Sequence, residues 1–555
     1  MLKEKFPLII VCDQITLFYL FSILFSCIQI FLIERVDYIP LIVALLVSLI
    51  TNIILNYNRK CNIDKNFKLF MALTFYYIIA LGVNLYAYPY FPLLFSQDFI
   101  VHVSNAFNLI KGASIQSIFS SNPSFPLLLA SWLTISSDNP LLSTRIFLSI
   151  VLLSSLPFVY FIGDYIKENG GFIASLVYIC INPFIYFTML TCGLYANALG
   201  LVVSLSTISW FIVTVLEENK KRLLFLPFCG FILFLTHSTN VLIFLTLFFA
   251  TLYMKFFENY RVSIKPVIFL FSGILITLLL VPTLISRLPS TLSSPFGLIE
   301  MSSNELIVYI LREIPLLKFI YLSSSENIFV LILFLVSIVL PFVYLLRRRL
   351  GFGIIPYAWL LLIVITSLFS TNIWRFALIA FIPLSLLSPL IYGKIVSPFI
   401  VKIAGFMPSE KFRKALKYMI LILLFLMLYL YSLNDIFTPI YASSWSRSQQ
   451  NRFYECLIWF KDNSEYNASV VSIGGGSWIH FLPLISNRTV LEILPGERPE
   501  VAYEILKGYS NGYVIVWNRL HPYNGSFYYV DLYKNSSLFR EVWANEEVTV
   551  FKVVK

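Results

Sequence analysis

The chain has 555 residues, 59% of them hydrophobic and only 12% charged, with a mean hydropathy of +0.83. Soluble domains run at about 45–50% apolar and about 25% charged residues, so this composition excludes an ordinary soluble protein. The formal net charge of +11 does not mark a nucleic-acid binder, because the Lys and Arg residues fall in short connections between apolar runs and line no groove.

Apolar runs of about 17–23 residues fit the hydrocarbon thickness of a bilayer. Taken in chain order, the sequence predicts thirteen membrane spans, near 15–33, 38–55, 69–90, 140–163, 171–190, 195–216, 223–236, 239–254, 266–286, 327–346, 354–370, 376–392 and 418–438. The start carries Lys3 and Lys5, and no small-residue cleavage site follows the first apolar run, so the first span is expected to be retained. Seven scattered cysteines define neither a disulfide framework nor a Cys-pair metal site.

With the N-terminus in the cytoplasm, every second connection is basic. The inner segments then hold 22 Lys and Arg and the outer segments of the membrane part seven. The outer segments include 91–139, 287–326 and everything after 438. A second pattern agrees. Asn-x-Ser/Thr acceptor sequons occur at Asn467, Asn487, Asn524 and Asn535, all in the tail, and such sequons are used on the extracytoplasmic side. The localisation expected is therefore a multi-pass cell-membrane protein with an extracytoplasmic C-terminal domain.

The first long outer segment contains "SQDFIVHVSNAFNLIKG", residues 96–112. Wound as a helix, it puts Phe99, Val103, Ala106 and Ile110 on one face and Asp98, His102 and Asn105 on another. Asp98 and His102, four apart, project side by side and can share a divalent metal or act as a general base with its orienting partner. The plain alternative is an Asp complementing the helix dipole beside a wetted histidine.

The surroundings favour chemistry. "NPSFPLLLASWLTI" (122–135) follows, then "NPLLSTRIFLSIVL" (139–152), in which Arg145 heads a span. In "STNIWRFALIAFIPLSLL" (370–387) Arg375 sits beside Trp374 at the outer mouth of another span, a costly place for a guanidinium unless it meets an anion. This layout resembles the GT-C superfamily of membrane glycosyltransferases, from about residue 69 to the end. The resemblance implies that Asp98 is catalytic or binds metal, with His102 beside it. It also implies that Arg375, flanked by Trp374 and with Arg145 at the matching earlier span, holds the phosphate of a polyprenyl-linked sugar donor such as a dolichol phosphate sugar. Residues 1–68 would be two added helices, 69–438 the GT-C-like module and 439–555 an outer α/β domain.

The tail reads as helix, strand, Gly-rich turn, short helix and strand, with "GYVIVW" (512–517) as a further buried strand and an alternating one at the end. It is similar in layout to the outer domain of oligosaccharyltransferase catalytic subunits. Where those carry Trp-Trp-Asp-Tyr-Gly, this chain has "IGGGSWIHF", so their acceptor recognition is not implied. Another departure is the second outer loop, "TCGLYAN" (191–197), which lacks the acid many such enzymes have. His237 is the candidate replacement, giving Asp98, His102 and His237 as a metal set for Mg or Mn.

The expected function is transfer of a sugar from a polyprenyl-phosphate donor to an extracytoplasmic acceptor, which is a glycan, lipid or protein. The partners are that donor, that acceptor and membrane lipid, with no nucleic acid. The alternatives are a non-catalytic lipid-binding relative and a transporter or flippase. The absence of internal repeats and of charge at mid-span argues against ion-coupled transport. The richness in Ile, Lys and Tyr with four sequons points to an archaeal source.

Overall fold

The computed structural model describes residues 6–57, 65–87, 97–112, 123–136, 140–192, 195–217, 220–237, 240–258, 262–280, 328–348, 350–368, 373–405, 409, 447–474, 479, 481–486, 488–494, 497–518 and 528–554. The span expected at 418–438 and the outer segment 287–326 lie outside the described residues.

The membrane part is a bundle of apolar helices. Its first members are α1 (Phe6–Ile33), α2 (Ile39–Asn56), α3 (Lys65–Ala87) and α4 (Gln97–Lys111). There follow α5 (Ser124–Ile135), α6 (Pro140–Leu153), α7 (Leu156–Ile166), α8 (Gly170–Cys192) and α9 (Tyr195–Glu217). The rest are the short α10 (Lys220–Leu223), α11 (Leu226–Thr236), α12 (Val241–Phe256), α13 (Lys265–Leu280), α14 (Ile328–Leu346), α15 (Ile354–Leu368), α16 (Ile373–Ile391) and α17 (Ser397–Gly405). Among the described residues, five stretches are long and apolar enough to cross a bilayer alone, and several more helices are shorter and apolar. Prolines sit in the first turn of α2, α7 and α11, where a missing N–H costs no helical bond. The span expected over 140–163 is two helices, α6 and α7, joined by a turn at Ser154 and Ser155.

Packing along α2 inverts the soluble pattern. Along α2 the buried residues are Pro40, Ala44, Ser48, Asn52 and Asn56, while leucines and isoleucines face outward. With no hydrophobic drive between helices in lipid, small and polar residues make the contacts. Gln14 Nε2 donates to Ser48 Oγ at 2.8 Å, and Asn52 Nδ2 donates to the Ile10 carbonyl at 3.0 Å. Close approach does the same work between α11 and α13. A Cβ on Gly230 would run into the Leu270 carbonyl, and one on Gly273 into the Pro227 carbonyl.

The α1–α2 pair is built into the bundle, since α1 packs on α5, α7, α9 and α11. At the outset of α1, Asp13 meets Arg222 of α10. Arg222 donates to both carboxylate oxygens, at 2.6 and 2.5 Å, and Asn56 Nδ2 adds a bond of 2.9 Å. The guanidinium lies 5.0 Å from the Trp210 ring centroid. This buried ion pair lies near the start of α1, which begins two turns before residue 15 and so carries Asp13 inside the bundle.

The C-terminal unit begins with α18 (Arg447–Asn463) and β1 (Ser469–Ile473), then α19 (Phe481–Ser486) and β2 (Thr489–Leu494). It ends with α20 (Pro499–Leu506), β3 (Gly512–Trp517), α21 (Tyr528–Lys534), β4 (Phe539–Ala544) and β5 (Val548–Val553). The five strands form one mixed sheet in the order β2-β1-β3-β5-β4. β1 is parallel to both β2 and β3, whereas β5 runs antiparallel to β3 and β4. Tyr513, Ile515 and Trp517 join the core on the α18–α19 side, and Val514 and Val516 the core with α20 and α21. Burial on both faces explains why β3 reads as an unbroken apolar run.

Candidate functional site

The site region is set by α4 and its neighbours at the end of the bundle that carries the sheet unit. Val103, Ala106 and Leu109 of α4 are fully buried, as its expected apolar face requires. The Leu109 carbonyl accepts a hydrogen bond of 3.0 Å from Val36 N in the turn between α1 and α2. α5 packs along α4, and α19 of the sheet unit touches it. The amphipathic helix is therefore held from three sides.

Asp98 falls in the first turn of α4; its side chain lies outside the described ones. One turn later, the half-buried His102 sets its ring edge-on to Phe125 of α5, with centroids 5.5 Å apart. Phe125 in turn lies 5.7 Å from Phe147 of α6, and Trp132 lies 5.9 Å from the same ring. Trp132 Nε1 donates to the Ser143 carbonyl at 3.0 Å, locking α5 to α6. Two residues on in α6 is the buried Arg145. The Pro-containing stretch thus serves as a packed wedge that brings the helices of His102 and Arg145 to one corner. Burial pushes the His102 imidazole down to about 4, so it is neutral at pH 7 and offers a lone pair, as a base or a ligand must.

Arg375 and Trp374 fall in the first turn of α16, with side chains outside the described ones. One turn further on, Ile379 lines a cavity of about 20 Å3, room for one water. Its polar wall is Asn197 and Ser204 of α9 and Asn240 at the start of α12; Trp359 and Ile363 of α15 supply apolar wall. Asn240 Nδ2 donates to the Leu233 carbonyl at 3.0 Å, and Ser204 Oγ donates to Asn240 Oδ1 at 3.4 Å. Gly200 makes room for that amide, since a Cβ there would lie 3.0 Å from it. His237 is buried at the end of α11, and its carbonyl accepts from Asn240 N at 3.0 Å. α9 touches both α5 and α6, so it is the wall common to the His102–Arg145 corner and to this cavity.

Among the described residues, no three His, Cys, Asp or Glu side chains gather as a metal site. Of the sequons, Asn467 and Asn535 are exposed in turns of the sheet unit, and Asn487 and Asn524 lie outside the described residues. Sequence reasoning passed over Asn197, Ser204 and Asn240. Asn197 even belongs to the loop noted for lacking an acid, where a neutral amide gave no signal.

No family model matches the sequence, and no curated protein matches it. The fold is similar to the crystal structure of ArnT from Cupriavidus metallidurans bound to undecaprenyl phosphate. The TM-score is 0.54 at 10% identity, over 88% of this chain and 97% of that one. A polytopic helical membrane fold with a C-terminal α/β unit, expected from the sequence, is the fold found, and it is like that of ArnT.

Proposed function

We propose that the protein is an integral-membrane glycosyltransferase. It moves a sugar from a polyprenyl-phosphate-linked donor to an acceptor on the extracytoplasmic face, where the sheet unit lies. The observation that carries this reading is the likeness, along nearly the whole chain, to a structure with a polyprenyl phosphate bound. The pinned α4, with Asp98 and His102 one turn apart, and the start of α16 with Arg375 supply the groups such a reaction needs.

Asp98 takes the proton of the acceptor hydroxyl, and the oxygen attacks the anomeric carbon. The bond from that carbon to the donor phosphate breaks, and the phosphate departs as an anion beside the Arg375 guanidinium, with Trp374 and Arg145 completing its surroundings. The neutral His102 orients Asp98 or shares its proton. If a divalent ion such as Mg or Mn takes part, Asp98, His102 and His237 are the residues that would hold it, and it would supply Lewis-acid chemistry there.

The test is to delete the gene in its host and follow polyprenyl-linked sugars and surface glycans by mass spectrometry. Loss of one sugar, with accumulation of a lipid-linked sugar that wild type clears but Asp98→Asn and Arg375→Ala do not, is the expected result. Unchanged glycans, or full rescue by Asp98→Asn, would overturn the catalytic reading in favour of a lipid-binding or transport role.

A further inference from the structure

The end of α16 away from Arg375 brings two cations together. There the chain passes from α16 into a single π-helical turn, Tyr392–Val396, of a kind that recurs at functional positions in helices. Lys394 lies in that turn and is exposed. The half-buried Lys167, just past the end of α7, reaches the same turn and sets its ammonium against Gly393, in the place a Cβ would take. Burial, and then the charge of Lys394, push the Lys167 ammonium below its usual pKa. Among the described residues neither ammonium has a carboxylate partner or a hydrogen bond; Lys394 lies over the Tyr344 ring of α14, 5.4 Å from its centroid. Acids described near that end are committed elsewhere. Asp13 holds Arg222, Asp164 of α7 accepts from Gly171 N at 3.3 Å, and Glu258 accepts from Leu350 N and Gly351 N at 2.6 and 2.9 Å. Glu168, next to Lys167, is exposed and pairs with no described cation. Like charges held side by side repel unless an anion joins them.

The neighbourhood says which anion. Ile395, Phe399 and Val401, which follow Lys394, are exposed, and so are Phe342 and Leu346 beside Tyr344. Lys394 is about 28 Å along the helix from Arg375, close to the thickness of the hydrocarbon layer. A pair of cations at the membrane edge, framed by exposed apolar side chains, fits a ligand with an anionic head and hydrocarbon tails. The ammonium of lysine is a point charge suited to phosphate oxygens. A zwitterionic head brings its own cation and relieves the pair less. We propose that Lys167 and Lys394 form a site for the headgroup phosphate of an anionic phospholipid, in the leaflet opposite the one that Arg375 faces. The site uses neither the sugar donor nor its phosphate, and it goes beyond the transferase reading.

The test uses the full chain in two settings. Thermal midpoints are measured in nanodiscs of phosphatidylcholine alone and of phosphatidylcholine with phosphatidylglycerol, and bound lipid is measured in neutral detergent by native mass spectrometry. In the zwitterionic discs Lys394→Gln removes a repulsion and should raise the midpoint; in the anionic discs it removes a ligand and should lower it. Wild type in detergent is expected to retain phosphatidylglycerol over phosphatidylcholine of the same chains. Lys394→Gln should lower that preference about fivefold, the effect of one cation at an anionic surface. Lys167→Gln should do the same and Lys167→Arg should keep the preference, which separates the charge from the fold. Lys402→Gln, at an exposed cation of α17 outside the pair, should change neither readout. An effect of Lys402→Gln as large as that of Lys394→Gln would show diffuse surface charge only, and a Lys394→Gln shift of the same sign in both discs would show a structural lysine; either result overturns the site. Displacement of phosphatidylglycerol by inorganic phosphate would assign the pair to a free anion and overturn the lipid.

Discussion

The two ends of α9 bury polar side chains in opposite ways. Beyond its C-terminus, Arg222 and Asp13 face each other bidentately, with Asn56 on the same carboxylate and Trp210 Nε1 bonded to the Arg222 carbonyl at 3.0 Å. Near its N-terminus, Asn197, Ser204 and Asn240 are linked in part and leave the Asn197 amide nitrogen open. The first cluster holds α1, α2 and α10 together through a bidentate ion pair and a bridging amide. The second is linked through Ser204 and Asn240 but not through the Asn197 amide nitrogen. Around one helix, buried polar groups thus range from a charged clamp between helices to a loosely linked neutral cluster.

The strongest challenge to this contrast is at the ion pair. Asp13→Leu leaves Arg222 buried without its carboxylate and should cost about 3–5 kcal/mol, read as a large fall in thermal midpoint in nanodiscs. The double change Asp13→Leu with Arg222→Met should recover most of it; a single variant as stable as wild type would deny the pair its structural role. A smaller effect is expected at His102. The folded imidazole is held at about 4 against 6.5 when free, so the unfolded chain takes up the proton first. The contribution is full above pH 6.5 and falls as pH drops toward 4, and His102→Gln should flatten that part of the stability profile.

At the opposite extreme from Asp13, Asn197→Ala should change stability by less than about 1 kcal/mol, because the amide it shortens makes no bond through its nitrogen. A loss as large as that at Asp13 would make the two clusters alike. The smallest effect belongs to the sheet unit. Glu465 accepts bonds of 2.7 Å from both Lys552 and Tyr513, which hold its carboxyl at about 2, below its usual 4.5. Its stabilisation is present above pH 4.5 and lost as pH falls toward 2. Since the pair is exposed, a few tenths of a kcal/mol and strong salt screening are expected, checked by comparing Glu465→Gln with wild type at pH 3 and 6.

The helices of the bundle were legible because a bilayer demands long apolar runs, and most described ends fell within a few residues of the expected positions, the start of α1 and the break at Ser154 and Ser155 excepted. Asp13 was hidden because apolarity alone starts the first span at residue 15, and nothing local says that a partner waits at Arg222, 209 positions away. β4 went unread because a bulge between Glu541 and Trp543 breaks the alternation that reveals a strand. Asp98, Arg145 and Arg375 stood out as charges at the mouths of spans. The His102–Phe125 contact and the Asn197 chamber did not, since both arise from helices that meet only after folding.

The α1–α2 hairpin has a mechanical consequence. α1 is 28 residues long, about 42 Å. Near one end it is tied to Arg222 through Asp13, and beyond the other the hairpin turn is tied to α4 through Val36 and Leu109. A rod fastened at both ends cannot change its tilt without carrying its fastenings. A change in the tilt of α1 would be carried through Val36 and Leu109 to α4, the helix that bears Asp98.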